Sequence, residues 1–206
     1  MTYLEAYEIV KTRFSLNEKD LKRFHHQEEV VKMALLLNEK FNLGLDVEKV
    51  KLAGILHDYS KIYSDQEMIE MLVPFIGSDA YEYQNYLPVV HSILGAYLVR
   101  SELGIMDSDI FNAIYYHTTG CPKMEKLAML IYVADAVEAT RDYPDADFYR
   151  SIVMQDFENG FFAILKGTID SLKKRGLPIQ KMTIDTYNYY KEYFNEVWSR
   201  TIIISC

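Results

Sequence analysis

Cysteine, proline and glycine are scarce in this chain, and positive charge is in deficit. The two cysteines, Cys121 and Cys206, form no framework and no C-x-x-C pair, which excludes a disulfide-stapled scaffold and fits a reducing cytoplasm. Five prolines and nine glycines in 206 residues exclude collagen-like and low-complexity architectures. Apolar runs such as Leu127–Ala134 stop far short of the ~20 residues needed to span a membrane. The opening MTYLEAYEIVK carries two glutamates and no basic leader, so no secretory signal is expected. With 22 Lys and Arg against 30 Asp and Glu, the formal charge is −8. Such a chain lacks the positive field that attracts a nucleic-acid polymer. A small anion is still compatible with it, provided the site supplies local positive charge.

What the chain has in quantity is apolar residues at helical spacing. Val30, Met33, Ala34 and Leu37 recur at three and four, as do Val47, Val50, Ala53 and Gly54. Ile110, Ala113 and Ile114, then Leu127, Leu130, Ile131 and Ala134, then Phe161, Phe162, Leu165 and Ile169 repeat the pattern. No Asn-Gly or Asp-Gly hairpin signal accompanies it. Helices are expected near 3–13, 17–42, 46–58, 65–73, 79–85, 89–103, 107–117, 123–141, 146–175 with a break near Gly160, and 183–198. Asp46 and Asp107 or Ser108 suit helix starts, while Gly44, Gly104, Gly120 and Gly176 suit helix ends. The Tyr-rich stretch 187–194 reads as an amphipathic helix that packs or forms a homodimer, and the terminal TIIISC as a short apolar tail. The expectation is one compact all-α domain, residues 1–206, with its core at about 20–141 and C-terminal helices at 146–198.

Histidines and aspartates then fall on the apolar faces. His26 lies four before Val30, His57 four after Ala53, His117 four after Ala113, and Asp135 four after Ile131. His91 lies seven before Leu98, near a helix start that Pro88 can open, and Asp58 adjoins His57. Singly, an inward histidine is more often a satisfied core group than a ligand. Four histidines and two aspartates on five helices, with no matching buried Lys or Arg, instead suit a divalent metal such as iron, manganese, cobalt or zinc. His25, about 100° round the helix from His26, reads as a boundary residue.

This order of residues resembles the HD-domain metal-dependent phosphohydrolases, whose motif runs H…HD…D with added histidines. The words R-F-H-H (Arg23–His26), L-A-G-I-L-H-D-Y-S-K (Leu52–Lys61), H-S-I-L-G-A-Y-L-V (His91–Val99), Y-Y-H-T-T-G (Tyr115–Gly120) and I-Y-V-A-D-A-V-E-A-T-R (Ile131–Arg141) are similar to the bacterial YqeK-type group. That group comprises symmetrical diadenosine tetraphosphate hydrolases. The resemblance spans about residues 20–190 and implies a helical HD-domain bundle. It implies that His26, His57, Asp58 and Asp135 hold one metal, iron first, with manganese or cobalt as alternates. His91 and His117 match phosphate-facing positions that hold a second metal in other HD proteins. Arg23, Lys61, Thr118 and Arg141 match contacts to the nucleotide or its phosphates. Val90 and Cys121 depart from the group, which often has an aromatic and an arginine there.

The activity so implied is hydrolysis of diadenosine tetraphosphate to two ADP, with Asp58, Lys61, His91 and His117 as the catalytic set. A metal can lower the pKa of a bound water from 15.7 toward ~7. Lys61, three after Asp58, suits charge neutralisation, and Arg23, three before His26, suits a phosphate grip. Read as a surface residue instead, Arg23 would pair with Asp20 or Glu28. Glu138 and Arg141, three apart, read as an intrahelical ion pair. Two rivals use the same residues: another HD-domain nucleotide phosphatase or phosphodiesterase, and a di-iron HD-domain oxygenase. A third is a non-catalytic HD-like module that binds nucleotides or protein partners, a class that tends to lose the metal ligands this chain keeps.

Overall fold

The helical periodicity resolves into ten α-helices in the computed structural model, which describes residues 1–204 and, for side chains, residues 1–194. They are α1 (Tyr3–Arg13), α2 (Glu18–Lys40), α3 (Val47–Leu56), α4 (Asp65–Ile76), α5 (Leu87–Leu103), α6 (Ser108–Tyr116), α7 (Lys126–Val137), α8 (Ala146–Gln155), α9 (Phe157–Lys174) and α10 (Lys181–Ile204). A 3-10 segment, Gly77–Asn85, joins α4 to α5. The described residues contain no strand. Cys206 lies outside them.

Several helix starts follow from side-chain chemistry. Asp46 accepts from the Lys49 amide at 2.9 Å, and Asp107 accepts from the amides of Asp109 and Ile110 at 2.9 and 3.1 Å. The cap of α6 is therefore Asp107, not Ser108. Ser64 and Glu67 close a reciprocal capping box at the start of α4.

Around α2, α3, α5, α6 and α7 the apolar stripes converge on one core. Val30, Ala34 and Leu37 of α2, Ala53, Ile55 and Leu56 of α3, Leu94 and Ala96 of α5, Ile114 of α6 and Leu130, Ile131 and Ala134 of α7 are all fully buried. Burying one such Leu or Ile side chain contributes about 1.5–3 kcal/mol. Gly54 lets α3 lie against α2: a Cβ there would stand 2.8 Å from Val31 Cγ2 and 3.2 Å from Val31 Cα. That close approach brings the His26 and His57 rings to 5.3 Å between centroids. Val47, by contrast, sits at the first position of α3 and is half exposed, so the apolar stripe begins only at Val50.

Three expected helices end differently. The span 146–175 breaks at Asp156, not at Gly160; Asp156 is extended and caps α9 through the Asn159 amide at 3.0 Å. Gly160 serves instead as a contact point, where a Cβ would stand 2.5 Å from Val153 Cγ2 and 2.7 Å from its Cα. Helix α7 covers 126–137 rather than 123–141, because Lys123 has φ +53° and Glu138 turns to ψ 162°. Helix α10 begins at Lys181 and runs through Ile204, so residues 201–204 continue it rather than form a separate tail. On α10, Tyr190 and Phe194 face inward, and the Tyr190 ring meets Phe161 at 4.9 Å. The Tyr190 hydroxyl accepts from the Met124 amide at 2.9 Å.

Candidate metal centre and its flanking cavities

Two of the histidines sit at helix ends, where the last carbonyls have no helical partner. His57 follows the last residue of α3 and His117 the last of α6. Their Nδ1 atoms lie 2.7 Å from the carbonyl oxygens of Gly54 and Ile114. A carbonyl only accepts, so each Nδ1 carries a proton and each ring turns its Nε2 inward. His26 arrives from the middle of α2, His91 from the second turn of α5 and Asp135 from the last turn of α7. Asp58 occupies the turn after α3.

These six side chains form one cluster. Asp58 Oδ2 faces His57 Nε2 at 3.5 Å and His26 Nε2 at 3.8 Å. Its other oxygen, Oδ1, faces His91 Nε2 at 3.3 Å and His117 Nε2 at 3.5 Å. His26 Nε2 lies 3.0 Å from Asp135 Oδ1, and His91 and His117 bring their Nε2 atoms within 3.0 Å of each other. The donor atoms of His26, His57 and Asp58 lie within 4.8 Å of one another, as do those of Asp58, His91 and His117, and those of His57, His117 and Asp135.

The charge states suit a cation. Burial pushes the His57 imidazole down and takes His91 to about 3, helped there by the Lys61 ammonium, so both are neutral bases. Burial by itself would raise the Asp58 carboxyl, but the Lys61 ammonium beside it holds it well below the usual carboxylate range. Burial opposes ionisation of Asp135 too, and the Arg141 guanidinium and His26 keep it ionised. His57 Nε2 and both Asp58 oxygens are buried without a well-aligned hydrogen bond, although Lys61 Nζ stands 2.8 Å from Oδ2. Lone pairs and carboxylate oxygens facing one another need a shared cation to offset their desolvation. Imidazole and carboxylate donors with no thiolate are the set a divalent metal takes up. Cys121 stays outside the cluster, its thiol pushed up to about 11 by burial.

The remaining expected residues surround this cluster at different distances. Arg141 donates through Nε to the Asp135 carbonyl at 2.8 Å, pairs with the Asp135 carboxylate, and places Nη2 3.3 Å from His26 Nε2. Thr118 meets Ser92 Oγ at 2.8 Å; Ser92 donates to the Val89 carbonyl, so Thr118 supplies the shared proton. Arg23 turns to Asp20 at 3.3 Å instead of reaching into the cluster.

Two cavities adjoin the centre. One, of about 350 Å³, reaches His117, Thr118 and Asp135 and is otherwise walled by Tyr86, Val89, Tyr132, Ile164, Leu172, Leu177 and Pro178, with Asn85 and Gln180 among its polar groups. The other, of about 280 Å³, is lined by Arg23, Lys61, Tyr63, Asp65, Met68, Leu87, Pro88 and His91.

Two features escape the sequence pattern. Glu138 is not the intrahelical partner of Arg141. It lies past the end of α7, fully buried, with Oε1 3.1 Å from His26 Nδ1 and 3.8 Å from Arg141 Nε. Its position three residues after Asp135 is the signal that could have found it. The α9–α10 connection carrying Leu177, Pro178 and Gln180 offers no local signal, since only the tertiary fold brings it to the cavity.

Comparison with known proteins agrees with this geometry. The HD domain family matches residues 23–140. A symmetrical bis(5'-nucleosyl)-tetraphosphatase of Bacillus subtilis is 35% identical over 167 residues, 81% of this chain and 88% of the relative. Its namesake in Staphylococcus aureus is 33% identical over 172 residues, 82% of this chain and 87% of the relative. A crystal structure from Clostridium acetobutylicum, described as a predicted HD superfamily hydrolase involved in NAD metabolism, superposes with a TM-score of 0.81. It is 28% identical, and the match covers 94% of this chain and 98% of that one. The all-α bundle, the cluster at its centre and these relatives together show that the chain belongs to the HD-domain family, in the group of the symmetrical bis(5'-nucleosyl)-tetraphosphatases.

Proposed function

We propose that this chain hydrolyses diadenosine tetraphosphate symmetrically, adding one water and releasing two ADP. The observation that carries the reading is the convergence of buried imidazole lone pairs and ionised carboxylates where two cavities meet. His26, His57, Asp58 and Asp135 are the residues that would hold the metal, and the family resemblance puts iron first, with manganese or cobalt as substitutes. A second ion would draw on His91 and His117, since Asp58 turns one oxygen to each pair of histidines. When bound, such a metal supplies Lewis acidity and a water acidified toward neutral pH.

The chain's own residues do the rest. Asp58 and Asp135 stay ionised at neutral pH and orient the hydrolytic water toward phosphorus. Lys61, at the rim of the smaller cavity, offsets negative charge on the phosphate chain as the bond to the central bridging oxygen breaks. His91, His117 and Thr118 face the phosphates from the α5 and α6 side, and Arg141 and Arg23 from the α7 and α2 sides. The apolar walls of the larger cavity suit a nucleoside, with Asn85 and Gln180 as polar partners for its base.

Incubating iron-, manganese- or cobalt-loaded protein with diadenosine tetraphosphate and resolving the products chromatographically tests the proposal. ADP as the sole product is the expected result. ATP plus AMP would mean asymmetric cleavage, and absence of turnover with all three metals would remove the reading.

A further inference from the structure

The first turn of α5 separates the two cavities. Pro88 contributes to both walls, with Val89 on the larger side and Leu87 and His91 on the smaller. The cavities also meet at the metal cluster, because His117 lines one, His91 lines the other, and their Nε2 atoms are 3.0 Å apart. A molecule held across the cluster therefore has an open recess on either side of it.

The two spaces differ in charge. Among the described residues no Lys or Arg lines the larger cavity, whereas Arg23 and Lys61 line the smaller one beside Asp65. Arg23 is backed by Asp20 at 3.3 Å and Lys61 by Asp58 at 2.8 Å. The smaller cavity also has an aromatic and apolar side formed by Tyr63, Met68 and Leu87. Tyr63 is anchored from behind: Arg13 donates to its hydroxyl at 2.8 Å and lies 5.3 Å from its ring centroid. Arg13 is itself held by Tyr59 at 3.3 Å and Glu102 at 3.5 Å. A ring fixed in this way offers a preorganised face at little entropic cost. Cations beside a fixed aromatic ring and aliphatic side chains are the recognition chemistry of a nucleoside polyphosphate, with phosphate on the cations and base on the apolar side.

We infer that the cavity over Arg23, Lys61 and Tyr63 is a second nucleoside diphosphate subsite, which takes the other half of the dinucleotide. The inference rests on the proposed symmetrical hydrolysis. A substrate with two identical halves, cut at its central oxygen, places one nucleoside diphosphate on each side of the reacting phosphorus. The larger cavity accepts one half, and the smaller cavity seats the second against Arg23, Lys61 and Tyr63.

Equilibrium dialysis of the metal-loaded protein against labelled ADP tests this without reference to turnover. Wild type is expected to bind two ADP per chain. Leu87→Asp places a carboxylate at the mouth of the smaller cavity, and it should retain one ADP and weaken the other at least tenfold. Leu87 is 36% exposed and begins α5, where an acidic residue suits the helix, so the variant keeps its fold. Leu177→Asp, in the wall of the larger cavity, should retain one ADP and lose the complementary one. Saturation of wild type at a single ADP, or two ADP still bound by Leu87→Asp, would overturn the inference. Two bound ADP in a protein that releases none from diadenosine tetraphosphate would instead sink the proposed reaction and leave the subsite standing.

Discussion

The buried Glu138 carboxylate holds Nδ1 of His26 at 3.1 Å while accepting from the Thr140 amide and hydroxyl at 2.6 and 2.7 Å. A carboxylate behind a ligand histidine fixes its tautomer and raises its basicity, and loss of such a partner typically lowers metal affinity roughly 10–100-fold. Glu138→Gln should therefore weaken metal binding by that factor, as read by competition with a chromophoric chelator. Excess metal should restore most of its activity, which a collapsed fold would not allow.

Among the described residues, Asp58 is the one side chain whose two oxygens face different pairs of histidines. Asp58→Ala is expected to lose both bound metal and activity while keeping the helical circular-dichroism signal. Retained hydrolysis by that variant would contradict a metal-centred reaction.

Lys61 Nζ lies 2.8 Å from Asp58 Oδ2 and lines the smaller cavity. Lys61→Met keeps the side-chain length and removes the charge. A loss in kcat of about 10²-fold is expected, in line with removal of one electrostatic stabiliser of the transition state, with metal content unchanged. Unchanged kcat, with metal content measured alongside, would take Lys61 out of the chemistry.

The metal-free protein should lose stability on the alkaline side. Burial lowers the His26 pKa, but hydrogen bonds to Asp135 and Glu138 outweigh it and raise the value to about 9. A folded-state pKa above the unfolded value of about 6.5 stabilises the native state fully below pH ~6.5, and the benefit is lost as pH rises through 9. His57 and His91 shift the other way and stay neutral throughout this window. Denaturant midpoints of metal-free protein at pH 6.5 and 9.5 should fall with pH, and Glu138→Gln should flatten the difference.

Gly160 packs against the backbone of Val153, 2.7 Å from the position of an added Cβ. Gly160→Ala forces α8 away from α9 and should cost about 1–3 kcal/mol. Thermal unfolding several degrees below wild type is the expected reading.

The helical architecture and the set of inward polar residues were legible because both are periodic. His26, Asp135 and the two helix-end histidines stand at fixed spacings from apolar neighbours, and that spacing survives folding. Where α7 stops was not legible, because its end depends on Glu138 turning inward to meet His26 from α2, 112 residues away. The break at Asp156 was misplaced to Gly160 for a related reason: the glycine answers a neighbouring helix and not its own. The second cavity depends on Tyr63 being pinned by Arg13, a contact across 50 residues that no local pattern announces.

His57 and His117 complete the last turns of α3 and α6 through their Nδ1 atoms while turning Nε2 to the centre. The length of each helix is thereby tied to the chemistry at its end. One residue inserted before either histidine would rotate its imidazole about 100° about the helix axis and orphan a carbonyl in the same event. Helices α3 and α6 can thus change in composition but not in register.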